Sequence, residues 1–239
     1  MKTIFALLLI SFAFNLQAKG LKLEVVSEHW PPFIIQNDNN DHQVSGLVTK
    51  KIQAILAHTD IDYTISTYPW ARSYQLAMTK PNVLIYSIYK TEQRTPHFEW
   101  FCPIHGDTPI NVYKLKKNNV NISTLPSLRN GLVGVLRSDN SHSYMLNNGF
   151  VEGKNLTISS SEESNIKKLL KGRIDAVIQS KEALIYRLKD TGYSIEDFTA
   201  GFQLHQSAST EHCMALSKNS SPELVGKLKR AFQNWLKHG

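Results

Sequence analysis

The sequence predicts an α/β protein of two lobes, in which each lobe is a mixed sheet flanked by helices and two extended strands form a hinge. Strand and helix signals alternate twice along the 239 residues, each time in the order βαβαβ. An extended run near residues 104–115 separates the two sets, and a second one near residues 205–217 leads back to the first lobe. In such an arrangement the carboxyl edges of both sheets face one cleft.

The first lobe is predicted to comprise residues 19–108 and 209–239. Its strands are apolar runs or alternate apolar with polar residues, and its helices carry apolar residues at helical spacing. In chain order we expect a strand at residues 21–26, a helix after Gly46, a strand at 61–67, a helix at 71–79, a strand at 83–88 and a last helix from Pro222. This last helix begins with a capping-box pattern and has proline in its first turn.

The second lobe is predicted to comprise residues 109–208. The same two periodicities identify its elements, and Ser161 is a predicted N-cap. In chain order we expect an extended run at residues 109–115, a strand at 132–136, a helix through Asn147, a strand at 155–159, a helix ending at Gly172 and strands at 174–178 and 202–207. A strand at residues 212–216 then belongs to the return to the first lobe.

The first 18 residues have the pattern of a cleaved signal peptide. Lys2 provides the positive charge, residues 4–14 form an apolar core, and Ala18 offers a small residue before the cut. This apolar run is shorter than the roughly 20 residues that a membrane span needs. We therefore expect export to the periplasm and no membrane insertion of the mature chain. We also expect the mature protein to be a monomer.

The charge of the chain does not indicate a nucleic acid as a partner. The formal net charge is +7 at pH 7, but the lysines are dispersed along the sequence. Neither of the two denser groups, around Lys116 and around Lys168, is interleaved with aromatic residues in the way that a strand-binding groove requires. A solvated surface explains these charges better than a nucleic-acid site.

The chain has two cysteines, Cys102 and Cys213, and each lies beside a predicted crossing between the lobes. In an exported protein the pair can form a disulfide, and two unpaired buried thiols are the alternative. Cys102 and His105 have a C-x-x-H spacing, but no second pair completes a zinc site. We therefore expect no metal and no cofactor.

Polar and aromatic residues follow the predicted strands of the first lobe. Ser87, Thr91 and Arg94 come after the strand at 83–88. The planar guanidinium of Arg94 could hold a carboxylate with two parallel hydrogen bonds, and a solvated arginine in a loop is the alternative. Trp30 follows the first strand, which two prolines end, while Trp70 and Arg72 open the helix after the second. These positions indicate a cleft with an anion contact.

The segment SIYKTEQR, with the aromatic and proline residues after it, resembles the S-x-T-x-x-R region of family 3 extracellular solute-binding proteins. These are the periplasmic receptors of polar amino acid ABC transporters. The resemblance covers nearly all of the mature chain and implies the type II periplasmic binding protein fold. It places Arg94 where the family's arginine grips the α-carboxylate of the ligand, and Trp30 where an aromatic ring stacks on it.

Two further segments resemble this family but depart from it. The strand at 132–136 and the residues after it resemble the V-G-V-x-x-G-T/S segment, which puts Ser138 at a ligand contact. The glycine is absent there, and Asp139 either faces the cleft or caps the next helix. Ser180 stands where an aspartate pairs with the α-ammonium group, and a serine cannot supply that charge. This departure argues against an ordinary α-amino acid as the ligand.

These observations favour a non-catalytic binding protein for a small polar or anionic solute, with an ABC permease as its partner. The candidate ligand contacts are Trp30, Trp70, Arg72, Ser87, Thr91, Arg94, Ser138 and Ser180. A sensing module with a separate signalling partner is the first alternative. The second is a dehydratase-like enzyme on the same scaffold, with Glu182, Asp139 or His142 as general acid.

Overall fold

The computed structural model describes residues 21–37, 43–204 and 210–238. The predicted signal peptide lies outside these residues. In chain order the elements are β1 (Lys22–Ser27), β2 (Ile35–Gln36), β3 (Val44–Ser45), α1 (Leu47–Leu56), β4 (Asp62–Thr67), α2 (Trp70–Thr79), β5 (Val83–Ile88), β6 (Phe98–His105), β7 (Ile110–Leu115), α3 (Leu125–Leu128), β8 (Val133–Leu136), α4 (Asn140–Asn147), β9 (Leu156–Ser159), α5 (Glu162–Leu170), β10 (Ala176–Ser180), α6 (Lys181–Leu188), β11 (Phe198–Gln203), β12 (His212–Ser217) and α7 (Pro222–His238). Short 3-10 turns precede β6 and β11.

The first lobe is built on a five-stranded mixed sheet in the order β4-β1-β5-β12-β6. β1 is parallel to β4 and β5, whereas β12 runs antiparallel to both of its neighbours. Helices α1 and α7 cover one face, where Ile52, Leu84 and Leu228 share a core. Helix α2 covers the other, where Ala77 packs against Ile85 and its neighbours. All six residues of β5 are buried because both faces of the sheet are covered.

The second lobe repeats this plan with the order β11-β7-β10-β8-β9. β8, β9 and β10 are parallel, and β7 is antiparallel to β10 and β11. Helices α5 and α6 provide Leu169 and Leu184 to the core on one face. On the opposite face Met145 of α4 packs with Val135 and Ile178. The predicted two-lobed α/β architecture is therefore confirmed.

Two connecting segments join the lobes and are bonded to each other. The chain leaves the first lobe between β6 and β7 and returns between β11 and β12. The backbone N–H of Thr108 donates to the carbonyl oxygen of Thr210 at 3.2 Å, and the carboxylate of Asp107 accepts from the N–H of Thr210 at 2.8 Å. A disulfide between Cys102 and Cys213 ties β6 to β12 beside this crossing. The lobe bounds stay a prediction, because one of them falls in residues 205–209.

Several element bounds differ from those expected from the sequence. The sequence does not predict strand β6, because its apolar and polar residues do not alternate regularly and Pro103 lies within it. A proline is tolerated there because β6 lies at the edge of the sheet. The crossing predicted at residues 104–115 is shorter as a result and spans residues 106–109. The strand predicted at residues 202–207 begins earlier, at Phe198. Of the predicted residues, only 202–204 lie within the described part of the chain.

Candidate ligand-binding site

A cavity lies between the two lobes and has residues of both on its walls. The space between its walls is about 610 Å³ when the open solvent at its mouth is counted. The first lobe contributes Glu28, Trp30, Trp70, Ser87, Tyr89 and Arg94, and the polar residues from the second lobe are Asp139, Asn140, Ser141, Glu162 and Gln179. The cavity is therefore apolar in part but carries several groups that can be charged.

Arg94 lies in the turn after β5 and is 7% exposed. Its guanidinium carbon is 5.4 Å from the centre of the Trp70 ring and 5.1 Å from that of Tyr74. Nη1 donates to the carbonyl oxygen of Tyr89 at 3.4 Å. Burial lowers the pKa of Arg94, but a guanidinium stays charged at physiological pH and carries five N–H donors. Arg94 therefore brings a positive charge with directed donors to the wall of the cavity.

Two tryptophans form walls of the cavity. The ring of Trp30 stacks on that of His212, with centroids 4.7 Å apart and planes 13° apart, and it meets Tyr89 edge-on at 5.9 Å. Trp70 is 4% exposed, and its Nε1 donates to the carbonyl oxygen of Ser138 at 2.9 Å. Because Ser138 belongs to the second lobe, this bond crosses the cleft.

Ser87 is the last residue but one of β5 and has a φ of +58°, a left-handed conformation, where the pairing of β5 with β12 shifts its register. Its Oγ is 3.2 Å from Nδ1 of His212, whose Nε2 is 2.9 Å from the hydroxyl of Thr108. Burial, with the nearby charge of His105 second, lowers the pKa of His212 to about 3. The imidazole is therefore neutral at physiological pH and links β5 to the crossing segment.

The other four predicted contacts lie outside the lining of the cavity. Arg72 is exposed, with its guanidinium carbon 4.2 Å from the centre of the Tyr68 ring. The hydroxyl of Thr91 accepts from the N–H of Arg94 at 3.3 Å and so shapes the turn. Ser138 is exposed, and Ser180 caps α6 by accepting from the N–H of Ala183 at 3.2 Å. The structure thus brings together Trp30, Trp70, Ser87 and Arg94.

Asp139 both caps α4 and lines the cavity, so the two alternatives raised by the sequence hold together. One carboxylate oxygen accepts from the N–H of His142 and the other from the hydroxyl of Ser141, both at 2.6 Å. Burial raises the pKa of Asp139, while these two bonds and the charge of Arg94 oppose the rise. Asp139 therefore places a carboxylate in the same cavity as the guanidinium of Arg94.

The polar residues of the cavity that are absent from the sequence-based set of contacts include two glutamates and a glutamine. Glu28 follows β1, Glu162 begins α5 directly after β9, and Gln179 lies near the end of β10. Burial raises the pKa of Glu28 well above its ordinary value, with the charge of Glu162 as the second cause, and burial raises the pKa of Glu162 to about 8. The rule that polar residues collect at the carboxyl ends of strands would have identified all three.

Among residues 21–37, 43–204 and 210–238, no group of three or more His, Cys, Asp or Glu side chains is arranged to hold a metal ion. In the same ranges no helix has both the length and the apolar character to cross a bilayer.

Solved structures share this fold. A histidine kinase sensor domain with similarity to periplasmic binding proteins superposes with a TM-score of 0.76 at 15% identity, over 92% of this chain and 91% of that one. An ancestral arginine-binding protein bound to arginine gives 0.74 at 19% identity, with 91% and 93% coverage. The chain has the type II periplasmic binding protein fold. An amino acid ABC transporter substrate-binding protein from Streptococcus pneumoniae, bound to L-arginine, matches with 0.71 at 20% identity and 91% and 89% coverage.

Comparisons of the sequence itself found no match. No protein-family model matches the chain, and no curated protein sequence matches it.

In the periplasmic binding protein fold, the cleft between the lobes is at the carboxyl edges of both sheets. Arg94, Asp139 and Glu162 all lie at these edges, as their places after β5, β8 and β9 require.

Proposed function

We propose that this chain is an extracytoplasmic solute-binding protein that captures a small, amino-acid-like solute between its lobes and does not act as an enzyme. The observation that carries this proposal is the buried guanidinium of Arg94 on the wall of a cavity closed by both lobes. A desolvated arginine beside aromatic rings suits a carboxylate of the ligand, because the fork of donors matches its two oxygens. The resemblance of the segment SIYKTEQR to the arginine-bearing region of family 3 receptors supports the same role.

Asp139 can provide the negative charge for an α-ammonium group that Ser180 lacks. Ser180 is fully buried and its hydroxyl is bound to the helix it caps, whereas the carboxylate of Asp139 lines the cavity together with Arg94. A carboxylate and a guanidinium on one cavity suit the α-ammonium and α-carboxylate of a zwitterion. Trp30 and Trp70 then enclose the apolar part of the ligand. We therefore favour an amino acid bound in a way that differs from the family's usual aspartate contact.

Binding is proposed to act through closure of the lobes. The described structure is closed across Trp70 and Ser138, and Nη2 of Arg187 donates to the carbonyl oxygen of His29 at 3.1 Å from the opposite lobe. A ligand that touches both lobes only in this state stabilises it by its differential affinity. Closure is the signal that a partner protein can recognise.

We infer that the protein works in the periplasm with an ABC permease. The disulfide between Cys102 and Cys213 suits an oxidising compartment, and the signal-peptide pattern of residues 1–18 agrees with export. The similarity to an ABC transporter substrate-binding protein supports a permease as the partner. A sensor partner is the second candidate, because a histidine kinase sensor domain shares the fold. Transport of the ligand into cells that carry or lack this protein distinguishes the two.

Calorimetry with a panel of L-amino acids and small organic acids tests the proposed function. We expect a ligand whose affinity falls by at least about thirtyfold in Arg94→Ala, because losing a buried charged hydrogen bond costs about 2 kcal/mol or more. Arg72→Ala is the matched control: Arg72 is exposed and outside the cavity, so its affinity should stay within about twofold. Unchanged affinity in a folded Arg94→Ala protein would remove the central assignment. Thermal unfolding of each variant establishes that it is folded.

A further inference from the structure

The ionisable groups of the cavity are unevenly balanced. Three carboxylates, those of Glu28, Asp139 and Glu162, share it with one guanidinium, that of Arg94. A zwitterionic ligand needs only Arg94 and Asp139 as charged partners. Glu28 and Glu162 are therefore in excess of what the proposed function uses, and they come from opposite lobes.

We propose that Glu28 and Glu162 together form a cation subsite that receives a distal ammonium or guanidinium group of the ligand. This inference rests on the function proposed above and narrows its ligand class to amino acids with a cationic side chain. If the pair retains one proton, the four ionisable groups of the cavity carry a net charge of −1. A ligand of net charge +1 neutralises it.

The position of the pair supports this role. Glu28 and Glu162 line the inner cavity with Arg94, and they also line an adjoining outer cleft that is open to solvent. They therefore stand between the anion contact and the outer opening. A ligand held at Arg94 by its carboxylate can extend toward them with its side chain.

The amide of Gln179 in the same cavity has one atom without a partner. Gln179 is 4% exposed, and its Oε1 accepts from Nη1 of Arg187 at 3.5 Å. Its Nε2 is buried without any hydrogen bond. An unpaired buried donor costs free energy that a ligand acceptor can recover. This amide indicates, independently of the glutamates, that the second-lobe wall of the cavity is built to meet a polar ligand.

The charged groups around the pair leave it able to take a cation. The charged groups that act on Glu28 or Glu162 are Asp139, Glu163 and Arg187, and Arg94 also acts on Glu28. Of the two cations, Arg94 is assigned to the carboxylate of the ligand, and the three nitrogens of Arg187 donate to Glu163, Gln179 and the carbonyl oxygen of His29. Glu162 accepts from Asn165 at 3.3 Å. The remaining negative charge therefore has to be met by a proton or by the ligand.

Proton and ligand should compete at this subsite. Burial raises the pKa of both glutamates, and that of Glu162 reaches about 8. A ligand cation favours the ionised carboxylates, so binding releases a proton, and affinity should rise as the pH rises toward this value. Without a proton or a cation, two carboxylates from opposite lobes would repel each other and oppose closure. Once the pair has lost its proton, closure would therefore depend on a positively charged ligand.

Calorimetry with L-arginine and L-citrulline tests the subsite, because the two differ mainly in the charge of the side-chain end. We expect L-arginine to bind at least about tenfold more tightly at about pH 8.5, with a smaller preference at about pH 6. Buffers of different ionisation enthalpy should report proton release for L-arginine only. Glu28→Gln and Glu162→Gln should remove the preference for L-arginine over L-citrulline and the proton release.

The exposed Glu196 provides the matched control, and Glu196→Gln should retain the wild-type preference. Equal affinities for the two probes, a preference that persists in Glu28→Gln and Glu162→Gln, or binding only of amino acids with neutral or acidic side chains would overturn the subsite. In each of these cases a loss of binding in Arg94→Ala would still support the proposed function. Failure of every amino acid to bind would overturn both.

Discussion

The indole N–H of Trp70 donates to the backbone carbonyl of Ser138 at 2.9 Å, and this bond joins the two lobes across the ligand cavity. Trp70 opens α2 of the first lobe, while Ser138 lies between β8 and α4 of the second. The same ring lies 5.4 Å from the guanidinium carbon of Arg94. A ligand held by Arg94 would thus contact the side chain of Trp70, which also bonds the two lobes to each other.

Replacement of Trp70 by phenylalanine should favour the open state. Phenylalanine keeps an aromatic wall but removes the hydrogen bond, whose net contribution is about 1 kcal/mol. We expect ligand affinity to fall about fivefold and the radius of gyration without ligand, measured by small-angle X-ray scattering, to increase. Trp100→Phe is the matched control, since the indole of Trp100 donates to the carbonyl oxygen of Thr95 within one lobe. A similar effect of both substitutions would contradict a special role for the bond across the cleft.

Arg187→Met should destabilise the protein more than an arginine replacement on the surface. The side chain of Arg187 is 3% exposed and bonds Glu163 at 3.0 Å, Gln179 and the carbonyl oxygen of His29. We expect a loss of about 2–3 kcal/mol in the free energy of unfolding, measured by urea denaturation. Arg129, which is exposed and donates to the carbonyl oxygen of Asn148 at 2.7 Å, is the control, and Arg129→Met should cost less than about 1 kcal/mol. Equal losses would argue against the buried linkage.

The fold could be predicted from the sequence wherever a local pattern determines the element. The six apolar or small residues of β5 are buried on both faces, as their continuous run indicates. The position of Arg94 after this strand also follows from the chain order alone. Strand β6 was missed because its signal is weak locally and its partner, β12, lies more than a hundred residues away in the sequence.

The candidate site could be predicted only in part, because it depends on contacts between the lobes. Glu28 and Glu162 each follow a strand, but nothing local indicates that they meet in one cavity. Ser180 is a different case: the resemblance to a family predicts that it contacts the ligand, and in the structure its hydroxyl accepts a hydrogen bond from the first turn of α6. Helix capping depends on neighbouring residues only, and it explains a serine at position 180 without any ligand.

Removal of the disulfide should lower stability without changing the fold. Cys102 and Cys213 are separated by 111 residues, and closing so long a loop restricts the unfolded chain by up to about 4–5 kcal/mol in the chain-entropy model. We expect the Cys102→Ala/Cys213→Ala protein to lose about 2–4 kcal/mol in denaturant unfolding. Reductant should destabilise the native protein by a similar amount and leave the double variant unaffected. A loss below about 1 kcal/mol would show that the crosslink adds little to the pairing of β6 and β12.

His212 should make the protein acid-sensitive. Its pKa is lowered to about 3 by burial, whereas an unfolded chain has a histidine pKa near 6.5. Between these pH values the unfolded state holds one more proton than the folded state. The contribution of His212 to stability is therefore intact above about pH 6.5 and falls by about 1.4 kcal/mol per pH unit as the pH decreases toward 3. Glu28 and Glu162, with raised pKa values, act in the opposite direction, but they are the same in the wild type and in a His212 variant.

The comparison of wild type with His212→Gln isolates this effect. Glutamine can retain a hydrogen bond to the hydroxyl of Thr108, which is 2.9 Å from Nε2 of His212, but it does not titrate. We expect the variant to be the less stable protein at about pH 7.5 and the difference to shrink, then reverse, as the pH falls below about 6.5. Urea denaturation at a series of pH values measures it, and His97→Gln, at an exposed histidine, should run parallel to the wild type. A constant difference would mean that the pKa of His212 is the same in the folded and the unfolded chain, which the burial of its imidazole between Ser87 and Thr108 opposes.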